Sequence, residues 1–227
     1  MISPNNPTSR AVPRADLLKL AERLADHDRL LVIDESFVEF MPEGRAASLE
    51  TDIGRLKNVI VFKSLGKIYG VCGLRLGYML SSDHELVSRV RDRLPAWNAN
   101  TLAEYFLSRI QGLADTAEKS WALVRQDCDQ LYQLLSAIPE MVVLPPHANF
   151  VFCRLPSNWP DGPELVDRLL KRHSILDTLL HLLSCFFSFS LSIMKLYNVA
   201  LKPINSRRVS PTVLSLDFPM TFFLVLE

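Results

Sequence analysis

Two short, wholly apolar runs constrain this chain of 227 residues more than anything else in it. Leu30-Leu31-Val32-Ile33 and Val59-Ile60-Val61-Phe62 contain no polar position, the pattern of strands covered on both faces rather than one. Each run ends in chemistry. The first stops at Asp34-Glu35, and the second delivers Ser64, Lys67 and Arg75 in quick succession, with Gly70, Gly73 and Gly77 keeping the intervening turn open. Ligands of open parallel sheets bind beyond the carboxyl ends of the strands, so acids and cations at these ends are placed for a site.

The remaining pattern alternates helices with strands. A helix is expected from about Pro13 to Asp26, with Leu17, Leu20, Ala21 and Leu24 on one face. Residues 42 to 55 read as a polar loop. Leu76 to Leu80 reads as a third strand, and a helix capped by Asp83 runs from about His84 to Arg93. Thr101 to Ile138 is helical throughout and too long for one globular helix, so a bend is placed near Gly112. Its charged residues Arg109, Lys119, Arg125 and Asp127 are assigned to a solvated face. Strands at Met141–Leu144 and Phe150–Phe152 hinge at Pro145-Pro146-His147, and a helix follows from Pro163 to His173. The order specifies an α/β protein.

Composition narrows the partners. Lys+Arg and Asp+Glu both number 25, so no basic excess points to nucleic acid. Cys72, Cys128, Cys153 and Cys185 form no C-x-x-C pair, which fits free thiols in a reducing, cytoplasmic setting and disfavours zinc. Residues 178–194 carry no acid, Lys or Arg. They fall near the lower length limit of a membrane span and include one His and four Ser, so a membrane anchor is disfavoured but left open. A buried amphipathic element and a tail foreign to the preceding domain are the other readings, and the last is preferred.

A lysine desolvated enough to be partly neutral condenses with a carbonyl. Ser64, three residues before Lys67, and Arg75, eight after it, have the donors for one phosphate. Asp34 could pair with a protonated pyridine nitrogen, which makes the ring an electron sink, and Asn6 could donate to a ring hydroxyl. P-N-N-P-T (4–8), D-E-S-F (34–37) and S-L-G-K with G-L-R-L-G-Y (64–67, 73–78) resemble, in order, the Asn-Pro turn, the Asp-Glu-Ala-Tyr element and the lysine signature of the pyridoxal phosphate-dependent aminotransferase class I/II family. The resemblance implies a partial aspartate-aminotransferase-like (fold type I) large domain with a mostly parallel sheet and flanking helices. It implies pyridoxal 5'-phosphate as cofactor and Lys67 as the catalytic, Schiff-base lysine. Asp34 is then the pyridinium partner, Asn6 the ligand of the ring 3-hydroxyl, and Ser64 and Arg75 the phosphate ligands. A small-molecule amino acid or amino-phosphate substrate and a homodimer come with the family.

Within the family the likeness is to threonine-phosphate decarboxylase of cobalamin synthesis and to histidinol-phosphate aminotransferase. Phe37 stands where most aminotransferases have a tyrosine, and this resembles the decarboxylase branch, as does P-A-W-N-A-N (95–100). An aminotransferase, or a catalytically inactive fragment of either enzyme, stays open. The resemblance covers about residues 3–174, with the small domain expected to start near residue 140 and a divergent apolar tail from 175 to 227. Family members carry a long stretch before the Asn-Pro turn, and a later arginine for the substrate carboxylate; neither has a counterpart here. Weak cofactor binding and little turnover are therefore expected. Ser9 replaces the glycine that usually follows the turn, a change that matters if the turn needs positive φ. Cys72 is expected in the core, Trp97 packed near the site mouth, and His147 in a supporting role.

Overall fold

The computed structural model describes residues 1–173, together with the backbone of residues 178–179, 186–190 and 222–225. Helix α1 (Arg14–Ala25) follows Pro13, whose fixed φ suits a helix entrance, and buries Leu17 and Ala21. Strands β1 (Leu31–Asp34) and β2 (Val59–Ser64) pair in parallel, with Ile33 opposite Val61 and Asp34 opposite Phe62. The short helix α2 (Leu65–Ile68) leads through one 3₁₀ turn to β3 (Gly77–Leu80), which pairs antiparallel with β2. The sheet is therefore mixed instead of mostly parallel. Residues 65–76 hold only single helical turns, too little to form the crossover that returns a chain parallel to itself. Strand β8 (Phe222–Val225) adds antiparallel to β3.

Pleating divides the apolar residues between two layers. Ile33, Val59 and Val61 pack with Leu17, Ala21, Leu49 and Ile53, while Ile60 and Met79 pack with Val87 of α3 (His84–Arg91). Asp83 caps α3 by accepting from the Leu86 N–H at 2.9 Å. Strand β1 is covered on one face only. Leu30 and Val32 are 53% and 42% exposed, and residues 1–3 run parallel beside them, joined through the Ser3 N–H to Asp34 carbonyl bond. The segment expected as a polar loop is two 3₁₀ stretches, Gly44–Ala47 and Leu49–Arg55, that send Leu49 and Ile53 into the core.

Helix α4 (Thr101–Leu107), a 3₁₀ turn at Ile110–Leu113 and α5 (Ala114–Ser136) confirm the bend near Gly112. Helix α5 spans two cores. Ala117, Trp121 and Val124 pack with Phe37, Leu65, Ile68 and Phe150, and Cys128 and Leu135 pack with Val151. Burial pushes the Cys128 thiol up to about 12, with Asp129 and Asp127 adding to the rise. Strands β4 (Val142–Leu144) and β5 (Phe150–Arg154) open a second sheet, in the order β4-β5-β7-β6 with β6 at Thr178–Leu179 and β7 at Phe186–Ser190. Helix α6 (Gly162–His173) places Leu165 and Val166 against Cys153 and Leu155. No helix among the described residues is long and apolar enough to cross a membrane. The side chains of 174–227, on which the tail and span readings depend, lie outside the described residues.

Candidate active site

The site is built where β1 and β2 end. Beyond Asp34 the chain turns. The Glu35 N–H still donates to the Phe62 carbonyl at 2.9 Å, and the Ser36 N–H folds back onto Asp34 Oδ1 at 2.9 Å. Beyond Ser64 the chain enters α2, which carries Lys67. This single turn is held from two sides: the Gly66 N–H donates to the Leu76 carbonyl at 3.2 Å, and the buried Trp121 indole donates to the Ile68 carbonyl at 2.6 Å. Lys67 Nζ lies 5.3 Å from the centre of the Phe37 ring, which packs edge-on against Phe150 at 5.4 Å between centroids. Arg75 adopts left-handed backbone (φ 51°) after the Cys72–Leu74 turn. A non-glycine residue accepts that geometry at a cost of order 1–2 kcal/mol, a form of strain that concentrates at functional positions.

Asn6 stands exposed on the turn that leaves β1's flank. Asn5 shapes this turn, because its Oδ1 accepts from the Thr8 hydroxyl at 2.9 Å and its carbonyl accepts from the Ser9 N–H at 2.7 Å. Ser9 is fully buried and has φ 56°, so the turn does require the conformation that favours glycine. Its hydroxyl oxygen compensates by accepting from the His147 and Ala148 N–H groups, both at 2.9 Å. His147 thus supports the loop through its backbone, as expected. Its Nδ1 and the Asn149 Oδ1 are buried without a partner among the described residues.

Glu35 is not in the site. It turns to the opposite face, where its carboxylate accepts from the Ser48 hydroxyl and from the Leu49 N–H at 2.9 Å. Burial raises its pKa to about 7 against those bonds. Next to it lies a polar cluster that sequence reading missed. Lys63, 2% exposed, pairs with Glu39 at 2.6 Å and Glu50 at 3.3 Å, and the Tyr78 hydroxyl donates to Glu50. Burial alone would lower the Lys63 pKa, but Glu39 and Glu50 outweigh it and the net shift is upward. Burial, then Glu50, pushes the Tyr78 phenol upward as well. Other expectations need correction. Cys72 is exposed and its thiol meets the Gly66 carbonyl at 3.3 Å; Trp97 is 94% exposed with φ 56°. Arg125 donates to the Glu39 carbonyl at 2.6 Å and to Glu118, so it ties α5 to the loop after β1 rather than lying in solvent.

The donor set fits one ligand type. A carboxylate at the end of β1, a hydroxyl at the end of β2, a primary amine on the helical turn that follows and a guanidinium just before β3 are of the kinds that suit a pyridine nitrogen, a phosphate and an aldehyde. Comparison with known proteins agrees. Residues 1–181 match the family model of aminotransferase class I and II. The chain is 44% identical over 176 residues to a CMP-5'-(3-aminopropyl)phosphonate synthase from Streptomyces rubellomurinus, covering 78% of this chain and 28% of that one. It is 32% identical over 158 residues to threonine-phosphate decarboxylase from Salmonella typhimurium, covering 68% and 42%. A decarboxylase structure from Sulfurospirillum multivorans superposes with a TM-score of 0.72 at 27% identity, over 84% of this chain and 55% of that one. The chain thus spans less than half the length of these two curated relatives. The family's cofactor is pyridoxal 5'-phosphate. Motif order, the strand-end donor set and these matches agree that the chain belongs to the aminotransferase class I and II family.

Proposed function

We propose that this chain carries the cofactor-binding core of a decarboxylase acting on an amino acid that bears a phosphate or phosphonate group. The observation that carries the choice is the contact between Lys67 Nζ and the Phe37 ring. A phenyl ring at this position donates no hydrogen bond, so the 3-oxygen of the ring is left to Asn6. When bound, pyridoxal phosphate supplies the electron sink for the bond broken at the substrate's α-carbon. Ser64 Oγ and the Arg75 guanidinium hold the phosphate, and the Asp34 carboxylate holds a proton at the pyridine nitrogen. Lys67 Nζ would be the amine that holds the cofactor's aldehyde, with loss of water, and once freed by the substrate's amine would carry the proton for the substrate carbon. The phosphorus-bearing substrate class is supported by the names of two relatives, one a phosphonate synthase and one a phosphate decarboxylase. Residues from about 140 onward begin a smaller domain on this reading, and the assembly is a homodimer.

The test is to incubate the chain with pyridoxal phosphate, reduce with borohydride and map the label by mass spectrometry. Label on Lys67 is expected. Carbon dioxide release from O-phosphothreonine or O-phosphoserine is expected. Label spread over surface lysines would overturn the assignment. Amino transfer from histidinol phosphate without carbon dioxide release would replace the decarboxylase with an aminotransferase.

A further inference from the structure

We propose that Ser36 is a positioning residue that fixes the span between Asp34 and Ser64, the two groups assigned to opposite ends of the cofactor; the inference rests on the cofactor reading above. The parallel ladder of β1 and β2 makes its last rung at the Glu35 N–H to Phe62 carbonyl bond. The next rung would need a carbonyl from β1 to accept the Ser64 N–H, but the chain has already turned away. The Ser36 hydroxyl takes that role. Its Oγ accepts from the Ser64 N–H at 2.9 Å, with both residues buried (1% and 3% exposed). The Ser36 N–H meanwhile donates to Asp34 Oδ1 at 2.9 Å. One residue therefore holds the carboxylate with its backbone and the serine strand end with its side chain.

The pyridine ring is rigid and its phosphate hangs on one short ester arm, which absorbs an error in spacing only by turning out of its preferred torsions, so a protein that sets the spacing binds the ligand better. Alanine stands at this position in the Asp-Glu-Ala-Tyr element that D-E-S-F resembles. Alanine keeps the contact to Asp34 and forgoes the contact to Ser64, so the second contact is a property of this chain. Without the hydroxyl, the Ser64 N–H becomes a buried donor lacking that acceptor, which favours a shift of the strand end.

The experiment compares the full-length wild type with Ser36→Ala and Ser36→Thr. Two quantities are read: the pyridoxal phosphate concentration that half-saturates borohydride-trapped label on Lys67, and the amide exchange of the peptide containing Ser64 in the unliganded chain. Ser36→Ala is expected to raise the half-saturating concentration about tenfold and to accelerate exchange at Ser64 with α1 and α3 unchanged. Ser36→Thr, which keeps the hydroxyl, is expected to stay within about twofold of wild type, a rescue that mere packing would not give. Equal half-saturation in Ser36→Ala and wild type, with Lys67 labelled in both, would overturn this inference alone. If Ser36→Ala does not fold, the threonine variant decides. Binding near wild type supports the role, and binding about tenfold weaker in a folded Ser36→Thr overturns it. No specific label on Lys67 in the wild type would overturn the cofactor reading and this inference together.

Discussion

Asp34 and Glu35 are neighbours in sequence, as are Lys63 and Ser64, yet each pair is split between two faces of the same strand ends. Glu35 and Lys63 turn to the face of Ser48, Glu39 and Glu50, and Asp34 and Ser64 alternate to the other face, where Ser36 bonds both. The first face is matched within the protein: Lys63 lies between Glu39 and Glu50, and Glu35 meets Ser48 and Leu49. The groups of the other face are those the proposed function assigns to a ligand. The difference shows that a charge beside a strand end is not by itself evidence of a site. The pleat decides which of two adjacent residues joins the buried ion cluster and which stays available for the ligand proposed above.

The largest effect that would break this comparison concerns two lysines four residues apart. Replacing Lys67 with alanine is expected to abolish the specific borohydride label while moving the urea midpoint little; residual label at the same stoichiometry would move the chemistry elsewhere. Replacing Lys63 with methionine leaves Glu39 and Glu50 buried without their cation, and a loss of about 3–5 kcal/mol in urea denaturation is expected. If both substitutions cost the same stability, the two faces are not distinct.

Glu35 sharpens the comparison through pH. Its carboxyl is raised from 4.5 to about 7, chiefly by burial, so the folded chain binds this proton more tightly than the unfolded one. The contribution is fully present below pH 4.5 and is lost as pH rises through about 7. At about 1.4 kcal/mol per factor of ten in proton affinity, the loss is roughly 3 kcal/mol. Urea midpoints at pH 5 and pH 8 should therefore separate wild type from Glu35→Gln, which lacks this decline. Parallel pH profiles would show that Glu35 is solvated.

The smallest effect tests the turn bearing Asn6. Ser9→Ala removes the acceptor of the Ala148 N–H, while the His147 N–H keeps the Ser9 carbonyl at 3.0 Å, and the left-handed backbone stays, so a loss of about 1–2 kcal/mol is expected. Ser9→Gly removes the acceptor but relieves the backbone, and should cost about 1 kcal/mol less. Equal losses in thermal unfolding would mean that φ at this position carries no strain.

Much of the fold was legible in the sequence, and so were the candidate residue types at the strand ends. The apolar runs located β1 and β2, the Leu-rich period located α1, and Gly112 marked the bend before α5. Asp34, Ser64, Lys67 and Arg75 stood out because strand ends and cation spacing are local properties. What was not legible is long-range. The Lys63 cluster draws Glu39 and Glu50 from two 3₁₀ segments whose short apolar spacing resembled a loop. The direction of β3 depended on how residues 65–76 fold back, and the roles of Ser36 and Ser9 depend on partners 28 and at least 138 residues away. Trp97 and Cys72 were assigned inward on residue type, and their loops hold them outward.

The Ser9 contact also bears on the order in which the molecule assembles. The bond from the Ala148 N–H joins residues 139 positions apart. Closing a loop of that length costs more entropy than forming the local β1–β2 pairing, so it belongs late in folding. Asn5 shapes the turn locally, and its buried end at Ser9 is anchored only when residues 147 and 148 dock, after β1 and β2 have paired. A chain emerging from synthesis would pair the ends of β1 and β2 before it anchored Ser9.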